Sequence, residues 1–190
     1  AAVYSVANFN NLCNQTGYNV NGQTGSFRDY YQDISYGALT INTDVQGWYT
    51  APNNRATYGK NAGYPATTGL VRFAVDQAEA AGTNFAQYDG DGDGAVDVVM
   101  VIHSGRGAEE SGDNDDIWSH RWVMSGGGNS VTYDGVLIND YIIQAEKYGS
   151  VNITNIGVLC HEFGHALGLP DLYDTDYSSS GIGSWCLMAG

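Results

Sequence analysis

Apolar positions follow a helical period in three stretches of this chain and a strand-like pattern in three others. Phe27, Tyr30, Tyr31 and Ile34 share one helical face behind Ser26, whose hydroxyl suits an N-cap, so a short helix is predicted from Ser26 to about Ile34. After Gly37, residues 38–49 alternate β-branched with polar side chains and predict a strand. Residues 51–66 are turn-rich. Leu70, Phe73, Ala74, Gln77 and Ala78 make the moderately apolar face of a second helix over 68–81, closed by Gly82. Residues 96–103 form a continuous apolar run suited to a buried central strand. The Gly-, Ser- and Asp-rich stretch 104–130 is too long for a mere connection and is expected to be functional. Residues 131–133 and 136–145 suggest a hairpin turned by Asp134-Gly135. The last helix starts near Thr154 or Asn155 and ends between His165 and Leu167. This order predicts an α/β fold, a mixed twisted sheet packed on helices. No repeat or linker interrupts residues 1–190, so one domain is expected.

That last helix carries the chemistry. Residues 161–171 read His161-Glu-Phe-Gly-His165-Ala-Leu-Gly168-Leu-Pro-Asp171. Histidines four apart lie one turn above each other on one helix face, so both imidazoles can grip one metal ion. Glu162 can reach a water on that metal without being a ligand, the arrangement of a zinc hydrolase with a glutamate base. Gly168 suits the left-handed turn past a helix end, and Pro170 stiffens the exit. Such a turn swings Asp171 back towards the imidazoles. No histidine follows His165 and no glutamate follows Glu162, so a downstream His or Glu cannot be the third ligand within this chain. Asp171 fits the turn spacing best. Asp174 is the main alternative, ahead of Asp176, Tyr173 and Tyr177.

Further along stands Gly183-Ser-Trp-Cys-Leu-Met188-Ala-Gly190. A Met in a tight turn after a long zinc motif is the Met-turn of metzincins, whose thioether forms an apolar floor beneath the metal. The segments 161–174, 183–185 and 187–190 together resemble the immune inhibitor A family of secreted bacterial metalloproteases. Upstream, 26–37, Asp91-Gly-Asp-Gly94 with Asp97, 103–107 and 116–122 look similar too, so the likeness runs from about residue 26 to the end. The helix motif with Asp in third place also resembles that of snapalysin, a small secreted protease. The resemblance implies a metzincin-like zincin fold, His161, His165 and Asp171 as zinc ligands, Glu162 as acid/base, Met188 and Gly168 as structural supports, and an endopeptidase acting on protein or peptide substrates. Metzincin domains normally continue beyond the Met-turn, whereas this sequence stops two residues after Met188. Either the mature piece is cut there, or a second chain completes the domain, or the sequence is a fragment; a propeptide or an additional C-terminal segment is a candidate partner. Two other readings stand beside it: a calcium-dependent adhesion or binding module on an inactive protease-like fold, and a zincin amidase or deacetylase.

Charge narrows the partners. The formal net charge is −14, with 7 basic residues, which argues against nucleic acid and anionic membrane surfaces. No apolar run approaches a membrane span. The sequence begins at Ala1 without Met or leader, as expected of a processed, secreted product. Asp89, Asp91, Asp93 and Asp97 stand at positions one, three, five and nine of a loop with Gly94 at six, and Ala95 at seven offers its carbonyl. This is the first half of a calcium loop, although Met100 stands where an EF-hand has its glutamate. The alternative is a metal-free Asp-Gly turn. Carboxylates packed this closely repel unless neutralised, which favours calcium. The acidic run Glu109, Glu110, Asp113, Asp115 and Asp116 reads as solvated loop ahead of a further calcium site, and His103 and His120 as hydrogen-bonded histidines near the sheet ahead of a structural metal site with nearby acids. Of three cysteines, Cys160 and Cys186 either bridge or remain thiols, leaving Cys13 over.

Overall fold

The computed structural model describes residues 1–149, 151–176 and 178–189. The elements run α1 (Val6–Asn14), α2 (Phe27–Ile34), α3 (Tyr64–Ala80), β1 (Val99–Arg106), α4 (Ala108–Ser111), β2 (His120–Val123), β3 (Val131–Tyr133), β4 (Val136–Ile138), β5 (Asp140–Tyr148), β6 (Asn152–Ile153) and α5 (Ile156–Ala166), with short 3-10 turns between several of them. The fold is mixed α/β. β5 is the central strand, with β1 parallel on one side, β2 antiparallel on the other and β6 antiparallel at its far end. Tyr141 to Glu146 of β5 are buried without a break. Tyr141 and Ile143 pack with Val71 and Val75 of α3 on one face. Ile142 packs with Leu159 and Cys160 of α5 and with Phe27 and Tyr31 of α2 on the other. The sheet is thus a middle layer, and α5 lies against the face that carries Ile142.

Local rules place the helices that matter most. Ser26 and Asp29 form a reciprocal capping box, Ser26 Oγ accepting from Asp29 N–H at 3.1 Å and Asp29 Oδ2 from Ser26 N–H at 2.9 Å. Asn155 caps α5 by accepting from Gly157 N–H at 3.0 Å. Tyr31 ties α2 to α5 by donating its hydroxyl to the Cys160 carbonyl at 2.7 Å.

Several expectations are corrected. Residues 39–50 form no strand. Their backbone is held by side chains instead: Thr43 N–H and carbonyl pair with the Asn14 side chain, and Leu39 N–H donates to Ser35 Oγ at 2.9 Å, while the Trp48 indole ties the segment to the Tyr4 carbonyl. Leu39 and Ile41 pack into one core cluster and Val45 into another, so alternation here serves two cores rather than one pleated face. The helix expected over 68–81 begins four residues earlier at Tyr64, with Pro65 tolerated in its first turn. The apolar run 96–103 contributes β1, which is an edge strand and not the central one. It is apolar on both faces because helices cover both. The turn Asp134-Gly135 has both residues at positive φ (52° and 87°), as a two-residue hairpin turn requires. The hairpin joins β3 to β4 as a separate two-stranded sheet, and β5 is a different strand. No helix among the described residues is long and apolar enough to cross a membrane.

Candidate metal centre

The exit from α5 builds the centre. Gly168 sits at φ 89°, its N–H donates to the His165 carbonyl at 3.0 Å, and Leu169 N–H donates to the Gly164 carbonyl at 3.0 Å. This pair is a Schellman motif. It turns the chain back so that the Leu169 carbonyl meets His165 Nδ1 at 2.8 Å. His161 Nδ1 meets the Leu187 carbonyl at 3.0 Å. A carbonyl only accepts, so both Nδ1 atoms carry the proton and both Nε2 atoms present bare lone pairs when the rings are neutral. Those Nε2 atoms lie 3.2 Å and 3.3 Å from one oxygen, Asp171 Oδ1.

Asp171 Oδ1 is buried and has no hydrogen-bond partner. An orphaned carboxylate oxygen facing two bare imidazole nitrogens is costly unless a cation binds all three. The spacing fits zinc: ligand bonds near 2.0–2.1 Å in a tetrahedron place neighbouring donor atoms about 3.3–3.4 Å apart. The donor set, two imidazoles and a carboxylate, is also one that zinc accepts.

The surroundings hold this arrangement. Leu172 N–H donates to the Met188 carbonyl at 2.7 Å, tying the residue after Asp171 to the Met188 segment. Met188 is buried under α5, and a Cβ on Gly164 would stand only 2.7 Å from its sulfur. Glycine between the two histidines is therefore what lets Met188 approach. Glu162 is 8% exposed, and its carboxylate accepts from the Arg121 backbone N–H. Burial pushes it up to about 7, against the opposing pull of His165 and that amide, while Asp171 and Glu109 add to the rise. Arg121 is itself pinned by Asp140, its Nε lying 2.9 Å from Asp140 Oδ1.

The other candidates fall elsewhere. Asp174 is consumed in its own loop, accepting from Asp176 N–H and Ser178 Oγ, both at 3.1 Å, and from Ser179 N–H. Asp176 accepts from Ser178 N–H at 3.0 Å. Tyr173 has an interaction of its own, and Tyr177 lies outside the described residues. Asp89, Asp91 and Asp93 each bring an oxygen within 4.8 Å of the others. Asp97 accepts from Gly90 N–H at 3.1 Å, and Ala95 bridges to Leu137.

The acidic run is more structural than a solvated loop. Glu109 accepts from the backbone and hydroxyl of Ser119, Glu110 accepts from Gly149 N–H, and buried Asp116 pairs with Arg55 at 2.6 Å. His120 is satisfied at both nitrogens, by the Trp118 carbonyl at 2.7 Å and the Tyr141 hydroxyl at 2.8 Å. His103 meets the Ser104 carbonyl through Nδ1, but its buried Nε2 has no partner. All three cysteines are free thiols, Cys13 and Cys160 buried and Cys186 exposed. Two functional neighbours lay outside the sequence reading: the Arg121 amide and Tyr64, whose phenol is raised by burial and then by the charges of Glu162 and Asp171.

Comparison with known proteins bears on these residues as a set. Residues 3–190 match the family described as "Immune inhibitor A peptidase M6, catalytic domain". The chain belongs to this family. It is 37% identical to Immune inhibitor A of Bacillus thuringiensis subsp. alesti over 199 residues, covering 87% of the chain and 28% of that relative. It is 35% identical over 198 residues to Pre-pro-metalloprotease PrtV of Vibrio cholerae serotype O1 (strain M66-2), covering 86% of the chain and 21% of the relative. The chain thus spans about a fifth to a quarter of the length of these relatives.

Proposed function

We propose that this chain is the catalytic domain of a secreted zinc endopeptidase with a metzincin-type centre. One observation carries the reading: two bare imidazole nitrogens converge on an unpartnered buried Asp171 oxygen, with the buried Glu162 carboxylate beside them. His161, His165 and Asp171 would hold the zinc over the Met188 floor. When bound, zinc supplies Lewis acidity, lowering the pKa of a water at its open position and offsetting charge on the carbonyl under attack. Glu162 takes the proton of the attacking water and returns it to the leaving amine. Burial makes it a stronger base, and the Arg121 amide fixes its direction.

The extended substrate is proposed to add as a strand along β2. β5 is paired on both sides, and β3–β4 stands off the main sheet. β2 pairs with β5 on one side only, and it packs against α5.

Purified protein should cleave casein, lose that activity on chelation and regain it with added zinc. Cleavage that persists in zinc-stripped protein, or its absence in zinc-loaded protein, would contradict the reading.

Calcium in the 89–97 loop is proposed on separate grounds. Asp89, Asp91 and Asp93 converge, and Asp89 Oδ1 is enclosed without a hydrogen-bond partner. Millimolar calcium should raise Tm by several degrees, since saturation to 100 Kd adds about 2.7 kcal/mol, and Asp91→Asn should remove the increment. A Tm indifferent to calcium would leave the loop a metal-free turn.

A further inference from the structure

The edge strand beside the metal centre has two faces, and the second is aromatic. Residues directly opposite in an antiparallel pair share a face. His120 and Trp122 lie opposite Ile143 and Tyr141, whereas Arg121 lies opposite Ile142 on the face that α5 covers. His120 and Trp122 therefore point away from the metal helix. Tyr64, in the first turn of α3, covers them. Its ring stacks on His120 with centroids 4.2 Å apart and planes 17° apart, and lies 5.8 Å from the Trp122 ring.

This shelf is stiff yet open. His120 is fixed at both nitrogens. Trp122 rests on Gly126, where a Cβ would come within 2.5 Å of the indole. Tyr64 nevertheless remains 43% exposed. Arg121, between His120 and Trp122 in β2, lines one cleft with His165, so the shelf adjoins the metal centre, and the charges of Glu162 and Asp171 raise the Tyr64 phenol.

A peptide strand on the free edge of β2 alternates its side chains between the two faces. The residue facing Arg121 points towards α5, and its neighbours point towards Tyr64. We propose that Tyr64 and Trp122, backed by His120, form a subsite wall that selects an aromatic or large apolar side chain on the substrate residue adjoining the one that faces Arg121. This rests on the endopeptidase reading and adds a specificity to it. Rigid aromatic surface suits such selection, because ring contacts form with little ordering of the wall itself.

The test is a fluorogenic peptide series varied one position at a time, cut by zinc-loaded wild type, Tyr64→Ala, Tyr64→Phe and Trp122→Ala. Wild type should favour Phe or Leu over Gly at one position by about tenfold in kcat/KM, a difference of about 1.4 kcal/mol. Tyr64→Ala and Trp122→Ala should each bring that ratio towards one and leave ratios at other positions as they were. Tyr64→Phe should keep it, since the ring and not the hydroxyl makes the wall. If a folded Tyr64→Ala, judged by its melt, keeps the full preference, the proposal is overturned. It is equally overturned if Tyr64→Phe slows all peptides as much as Tyr64→Ala, which would give the hydroxyl a chemical role. Should Tyr64→Ala not fold, Trp122→Ala decides alone. A wild type that cuts no peptide removes the endopeptidase reading, and the subsite with it.

Discussion

Glu162→Gln should lower kcat/KM for peptide hydrolysis by roughly 10²–10⁴-fold while the protein still binds one zinc. That loss corresponds to about 3–5 kcal/mol of transition-state stabilisation. The size follows from position. Glu162 is buried, follows the ligand candidate His161 directly and is held by the Arg121 amide. Glutamine keeps the shape and can still meet that amide, but it cannot accept a proton from water. Steady-state kinetics with parallel metal analysis separates the roles. Activity near wild type would show that Glu162 is not the base. Loss of zinc together with activity would make it a ligand.

Asp171→Ala should abolish both zinc retention and cleavage, whereas Asp174→Ala should preserve both. A partner that merely orients a metal ligand typically costs 10–100-fold in affinity when removed. Loss of a donor in direct contact should exceed this. Asp171 Oδ1 lies within 3.3 Å of both imidazole Nε2 atoms and has no other partner, and Asp174 is saturated by its own loop. Metal titration of the two variants distinguishes them. If Asp174→Ala lost the metal while Asp171→Ala kept it, the third ligand would be misassigned.

Where the sequence was legible, local chemistry decided the structure. The limits of α5 follow from Asn155 and Gly168, a cap and a left-handed exit that need no distant partner. The same holds for α2 behind Ser26 and for the Asp134-Gly135 turn. Where it was not legible, tertiary contacts decided. Residues 39–50 alternate like a strand, but the Asn14 side chain pairs with the Thr43 backbone in place of a ladder, and the Trp48 indole anchors the segment to the Tyr4 carbonyl. The run over 96–103 reads the same for an edge strand as for a central one, since both can be covered on two faces. β2 is too short to declare itself, and only pairing with β5 makes it a strand. α1 carries a capping box closed by Asn8 rather than Glu or Gln, and its apolar face is only Phe9, Leu12 and Cys13. For the candidate site, His161, Glu162, His165 and Asp171 share one motif, and the structure brings the two histidines and Asp171 together. Tyr64 and the Arg121 amide come from distant segments, and no local pattern marks them.

Anomalous diffraction at the zinc edge, from crystals of protein whose activity has been verified, addresses the metal centre most directly. The expected result is a single zinc bonded to His161 Nε2, His165 Nε2 and Asp171 Oδ1, with Glu162 near it but unbonded. An empty pocket in protein that cleaves peptides, or a zinc closed by some group other than Asp171, would contradict it.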